Sequence, residues 1–220
     1  MKDSLEDARV GTPKPAGNSE REAATPRFST NTLVKIAVLG VIAFVLMFLD
    51  TPIWFAPAFL KLDISGVPAL LGSFAMGPAT GVWVELIKNI LNIALEGSTT
   101  NGVGELTNFL IGSVFAYTCG YVYQKKKTFE NAVLSLVLGV VVMTIFATLN
   151  NYFVMFPLYA KVFGLEIKNL IDMGSKVNGL VVDYKTLMLY AVLPFDLLKG
   201  TVVSVITILV YKKVSPILHR

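Results

Sequence analysis

The chain has 220 residues, 54% hydrophobic and 15% charged, with a mean hydropathy of +0.65 and a formal net charge of +4. A soluble domain carries nearer a quarter of its residues charged, so this composition argues against an ordinary soluble globule. One cysteine (Cys119) and one histidine (His219) exclude an internal disulfide framework and a structural zinc site, and no GxxxxGK[ST] phosphate loop equips the chain to hydrolyse ATP.

Residues 1–29 are polar and broken by Pro13, Pro15 and Pro26. Such a segment buries too little apolar surface to fold alone, and it lacks the apolar stretch of a secretory signal. It reads as a disordered cytoplasmic extension, with residues 30–220 forming a single membrane domain. Three runs carry no Asp, Glu, Lys or Arg: Ile64–Val84, Leu106–Gln124 and Asn131–Ala160. A helix needs about 20 apolar residues to cross the hydrocarbon core, and each run is long enough.

The first membrane helix is expected from Asn31 to Leu49, with Ser29, Thr30 and Asn31 as candidate caps. Pro52 and Pro57 then oppose helix, while Trp54, Phe55 and Phe59 suit a structured loop at the membrane surface. A second helix, about fourteen residues and ~21 Å long, starts near Asp63. It stops at Met76-Gly77-Pro78, and is expected to span only part of the bilayer or to lie tilted beside the preceding loop. Further helices follow over Ala79–Leu95, Glu105–Tyr123, Asn131–Phe156 and Tyr184–Tyr211. The stretch Pro157–Asp183 exceeds the usual connection length and reads as a lid-like outer loop.

The expected architecture is therefore all-α, a bundle of six transmembrane helices with outer loops capping a cavity. Lys125-Lys126-Lys127, the pair Lys212-Lys213 with Arg220, and Arg21, Arg27 and Lys35 flank membrane helices. Six crossings place all three clusters, and both termini, on one side of a cell membrane, the cytoplasmic one. The positive charge is then topological, and no patch remains for nucleic acid.

Ionisable groups inside membrane helices cost about 2.5–3.5 kcal/mol each near the bilayer centre and usually face a cavity. Glu85 and Lys88, three apart, share a face of the third helix, and Asn89 and Asn92 extend it. They read as a cavity pair or as a structural one. Asp196 and Lys199 repeat the spacing on the last helix, and Asn150-Asn151 lie near the outer end of the fifth. Aromatic residues including Phe59, Tyr152, Phe156, Tyr159, Tyr190 and Phe195 fall in the outer halves. Aromatic walls with a few amide, carboxylate and ammonium groups suit a flat ligand bearing hydroxyls. Composition alone leaves that ligand undecided.

Several stretches resemble the S components of energy-coupling-factor vitamin importers, and within them the riboflavin-binding members. They are FLKLDISGVPALLGSFAMGPATGVWVELIKNIL (Phe59–Leu91), STTNGVGELTNFLIG (Ser98–Gly112), the NNYF segment of the fifth helix, and PFDLLKG (Pro194–Gly200). The resemblance spans about Thr30–Tyr211. It implies a substrate-capture subunit that takes riboflavin from outside and docks on a transmembrane scaffold (T component) carrying two ATPases. Riboflavin enters as cargo; no resident cofactor or metal is implied. Carried over by position, the flavin ring lies under the first outer loop, against backbone groups around Phe59, Leu60 and Lys61. The ribityl chain lies against Asn151 or Asn150, Asp196 and Lys199.

Two positions depart from the family. It commonly has Asn where this chain has Asp196; a carboxylate only accepts hydrogen bonds, whereas an amide also donates. The family also docks through alanines four apart on the first helix, and here that register reads Ala37 then Val41, with Gly40 and Ala43 nearby. The competing readings are the same fold for another vitamin and a stand-alone ion-coupled carrier using Glu85 and Asp196 as relay groups. An enzyme is disfavoured, because no nucleophile–base set or metal cluster is evident in the sequence.

Overall fold

The computed structural model describes residues 28–57, 59–98, 100–164 and 166–218, with no side-chain detail at 212 or 214–218. The extension expected over residues 1–29 thus lies almost wholly outside the described residues, as do His219 and Arg220. Helix α1 runs Thr30–Met47, and the Ser29 side chain accepts from the Thr32 N–H as its N-cap. The loop after it is a small antiparallel hairpin, β1 (Thr51–Pro52) paired with β2 (Lys61–Leu62). Proline is tolerated there because a two-stranded edge does not need its missing N–H.

Helix α2 (Gly66–Met76) is shorter than its sequence suggested. It lies inside the bundle: every residue from Val67 to Phe74 is buried, and it touches α1, α3 (Pro78–Leu95), α4 (Val103–Lys125) and α9 (Leu193–Leu218). A helix that is apolar all round belongs in the centre of a bundle. Small residues permit the close approach. A Cβ on Gly81 of α3 would lie 1.9 Å from the Ser73 hydroxyl, and one on Gly120 of α4 would lie 2.9 Å from the Ser73 Cβ. Gly77, at φ +109°, makes the turn into α3 that the Gly-Pro pair signalled, with Pro78 in the first helical turn.

The fifth helix does not stop at Phe156. Helix α5 (Phe129–Asn150) passes through a π-turn, Asn151–Met155, into α6 (Phe156–Phe163). The widened turn absorbs the disruption that Pro157 would otherwise cause to the α-helical hydrogen-bond ladder. The presumed lid is therefore mostly helix: α6, then α7 (Ile167–Ser175). Asp183 caps α8 (Tyr184–Leu187) in a reciprocal box with Thr186. A second π-turn, Met188–Val192, leads into α9.

Among the described residues, three helical stretches are long and apolar enough to cross a membrane: Thr30–Met47, Phe129–Phe163 and Tyr184–Tyr211. Their outward faces carry large apolar side chains, as in Val34, Val38, Val41, Ile42 and Val45 of α1. Such a surface suits lipid as solvent. At one end of the bundle the Tyr123 and Tyr211 hydroxyls hydrogen-bond to each other, and Gln124 Nε2 donates to the Phe74 carbonyl at 3.0 Å. This gathers the C-terminal ends of α2, α4 and α9.

Candidate functional site: a buried polar cavity

At the other end, a cavity of about 280 Å³ lies between the hairpin, α2, α4, α5 with its π-turn, and α9. Its size sits near the lower limit for small-molecule sites, roughly 300–1,000 Å³. Phe59, Phe156, Tyr159 and Phe195 supply aromatic wall. Phe59 and Phe156 meet edge to face, with centroids 5.7 Å apart.

Of the residues expected at a substrate site, Phe59, Leu60, Lys61, Asn151, Asp196 and Lys199 all line this cavity. Asn150 does not. Helical geometry turns neighbouring side chains about 100° apart, so only one of the two asparagines can face inward. Lys61 holds the mouth of the cavity, with Nζ donating to Asp50 Oδ2 at 2.8 Å.

The pairing expected within α9 is corrected. Lys199 Nζ donates to Asp63 Oδ2 at 2.7 Å, across 136 residues of sequence. Asp196 is buried, and among the described residues its Oδ2 has no hydrogen-bond partner. The other oxygen of Asp63, Oδ1, accepts from the Ser65 N–H at 2.9 Å and from the Ser65 hydroxyl. Lys88 Nζ donates to Ser65 Oγ at 3.1 Å and pairs with Glu85 Oε2 at 2.5 Å. One polar chain, Glu85–Lys88–Ser65–Asp63–Lys199, thus ties α3 to the start of α2 and to α9. Glu85 and Lys88 also line the cavity, so they belong to its wall and to this network at once. Asn89 and Asn92 turn away, onto the Glu85 carbonyl and the Glu96 carboxylate.

Thr107 and Asn108 of α4 also line the cavity. Neither carries charge, and a lone amide or hydroxyl in an apolar run gives little sequence signal beyond its polarity. The first helix reaches the cavity only through Met47, its last residue, and otherwise contributes to a different surface. Ala37 and Val41 face outward, but Gly40 is buried, and a Cβ there would lie 2.6 Å from Ile87 Cγ2. Gly40 therefore serves the packing of α1 on α3 and is removed from the docking face expected for it.

The π-turns place the inward groups. In α5 the turn begins at Asn151, and a π-turn leaves backbone carbonyls imperfectly matched. Tyr184 Oη donates to the Tyr152 carbonyl at 2.7 Å, and its ring stacks on Tyr152 at 4.7 Å. Tyr184→Phe keeps the ring and loses this bond together with a longer one to the Asn151 carbonyl at 3.4 Å. It is expected to lower stability by about 1 kcal/mol. Thermal melting checks this: a variant that melts with the parent protein would show that these bonds do not support the turn.

Against known proteins, residues 31–211 match the family described as ECF transporter, substrate-specific component. The chain is 37% identical over 188 residues to the riboflavin transporter RibU of Staphylococcus aureus, covering 86% of this chain and 92% of that one. It is 34% identical over 185 residues to the riboflavin transporter FmnP of Bacillus subtilis, covering 84% and 92%. Among solved structures, one described as the S component of a bacterial ECF transporter superposes with a TM-score of 0.66 at 34% identity, over 86% of this chain and 98% of that one. The chain belongs to the family of substrate-specific components of ECF transporters, helical membrane proteins that serve transport.

Proposed function

We propose that this chain captures riboflavin from the outer face of the cell membrane and, with a transmembrane scaffold subunit and two ATPases, delivers it to the cytoplasm. The observation that carries this reading is the cavity itself. Aromatic walls lie beside Asn151, Asp196, Lys199 and Asp63, which suits a flat ring bearing a polyol chain. The riboflavin transporters among its relatives support the same cargo. The flavin ring lies toward Phe59, Leu60 and Lys61, and the ribityl chain toward Asn151, Asp196 and Lys199.

Six crossings with both termini cytoplasmic fit this reading. The Tyr123–Tyr211 hydrogen bond brings the C-terminal ends of α4 and α9 together, so Lys125–Lys127 and Lys213 share one end of the bundle. The cavity opens at the other end, where substrate arrives. Protein purified from cells grown with the vitamin should be yellow, with flavin absorbance. Colourless protein that concentrates a solute in liposomes without ATPases would indicate a stand-alone carrier.

The scaffold docks on the outward face of α1, through Ala37 and Val41. Small residues allow close helix approach within a membrane. Ala37→Trp is expected to block co-purification with the scaffold while leaving riboflavin affinity intact. Gly40→Trp should instead drive α1 off Ile87 and lower thermal stability with or without a partner. Loss of flavin binding in the Ala37 variant would contradict this separation of docking face from cavity.

A further inference from the structure

We infer that Asn178 and Tyr184 are positioning residues for the ligand: they staple the two π-turns that set which side chains of the fifth and last membrane helices face the cavity. The inference rests on the riboflavin reading for the ligand alone and deepens it. Both turns are five residues long, and each has proline at the second position after it, Pro157 after Asn151–Met155 and Pro194 after Met188–Val192. In the first, the Phe156 N–H donates to the Asn151 carbonyl, five residues back, and Pro157, next in line, has no N–H to offer the Tyr152 carbonyl. Tyr184 Oη fills that carbonyl instead, at 2.7 Å. In the second, Pro194 stands four residues beyond Tyr190, where an α-helix would supply the N–H for the Tyr190 carbonyl. Asn178 Nδ2 fills that one, at 3.0 Å.

Both donors come from one short segment, and both are held in place. Asn178 Oδ1 accepts from the Leu180 N–H at 3.0 Å, which turns the amide nitrogen toward Tyr190. Tyr184 directly follows Asp183, the cap of α8, and its ring stacks on Tyr152. Between them Val181 is buried in an apolar cluster with Phe156, Leu187 and Met188. A single segment thus bridges the α5–α6 turn and the start of α9. A π-turn holds one residue more than an α-turn. Its loss would shift the side chains beyond it by one position around the helix, about 100°. Asn151 stands in the first turn, and Asp196 and Lys199 follow the second, so the stapled carbonyls fix the register of the groups assigned to the ribityl chain.

The test measures riboflavin affinity, by quenching of flavin fluorescence, on purified full-length protein. Asn178→Leu keeps the approximate shape and removes the donor; Tyr184→Phe removes the hydroxyl. Tyr123→Phe removes a hydrogen bond at the opposite end of the bundle and controls for general loosening. Each staple variant is expected to weaken riboflavin binding at least about threefold, the scale of one neutral hydrogen bond, and the double variant about tenfold. Tyr123→Phe is expected to keep the parent affinity however far its melting temperature falls. Hydrogen exchange of the unliganded protein should quicken at both turns in the double variant and not in Tyr123→Phe. Parent-like affinity in the double variant would overturn the inference, as would an equal loss of affinity in Tyr123→Phe. Parent-like exchange at the two turns would overturn it as well. A parent protein that binds no riboflavin contradicts the riboflavin reading instead, and the exchange measurement then decides by itself whether the staples hold the turns.

Discussion

Lys199→Met is expected to weaken riboflavin binding by more than about 1.5 kcal/mol, the low end for a hydrogen bond to a charged group. The substitution keeps much of the side-chain length and removes the charge and all three donors. Its effect reaches beyond the ligand, because Asp63 loses the ammonium at 2.7 Å. Breaking one partner of a buried ion pair costs about 3–5 kcal/mol. Lys199 is partly open to the cavity, so the lower end applies. Adding Asp63→Asn removes the stranded charge and should restore most of the stability while leaving affinity low. Fluorescence quenching reads the first effect and thermal melting the second. Normal affinity in the single variant would move the ligand away from α9, and a double variant that binds normally would make the pair purely structural.

Lys88→Met is expected to have the larger effect on stability. Glu85 and Lys88 are each 1% exposed, so water cannot take over for the lost partner. A loss of about 3–5 kcal/mol follows, a drop of roughly 6–20 °C in melting temperature for a chain of this length. Ser65 loses its link to α3 at the same time. Glu85→Gln added to Lys88→Met should recover most of that loss, because an uncharged amide is far cheaper to bury than a lone carboxylate. A single variant that melts with the parent protein would show that the network does not support the bundle.

Much of the helical layout was legible in the sequence because its signals are local. Met76-Gly77-Pro78 marks a helix end whatever the surroundings, and Ser29 caps α1 by reaching only three residues ahead. The continuation past Phe156 was not legible. Pro157 is a strong stop signal, and the π-turn that accommodates it leaves no distinct mark in the sequence. The central place of α2 was also hidden. Its length pointed to a marginal element, whereas the small residues that let four helices surround it sit partly on α3 and α4.

The candidate site followed the same division. Charged residues in apolar helices stood out, and Lys199, Asp196, Glu85 and Lys88 all line the cavity. Their partners were read from spacing within one helix, which served Glu85 and Lys88 and failed for Lys199. Its counter-ion comes from a loop 136 residues earlier, and no periodicity links the two. Asp63 stands just before the start of a helix, and nothing in the sequence beside it points to a distant partner. It does organise that start, through Ser65, while its second oxygen turns to α9. Asn150 and Asn151 were inseparable until the backbone fixed which one faces inward.

The central claim is that this cavity holds one riboflavin. Titration of purified, flavin-free protein with riboflavin, read by quenching of flavin fluorescence, tests it most directly. A saturable curve with one flavin per chain, shifted to more than about tenfold weaker affinity in Lys199→Met, is the expected result. A flat titration of folded protein, or curves that coincide for the parent and the variant, would contradict it.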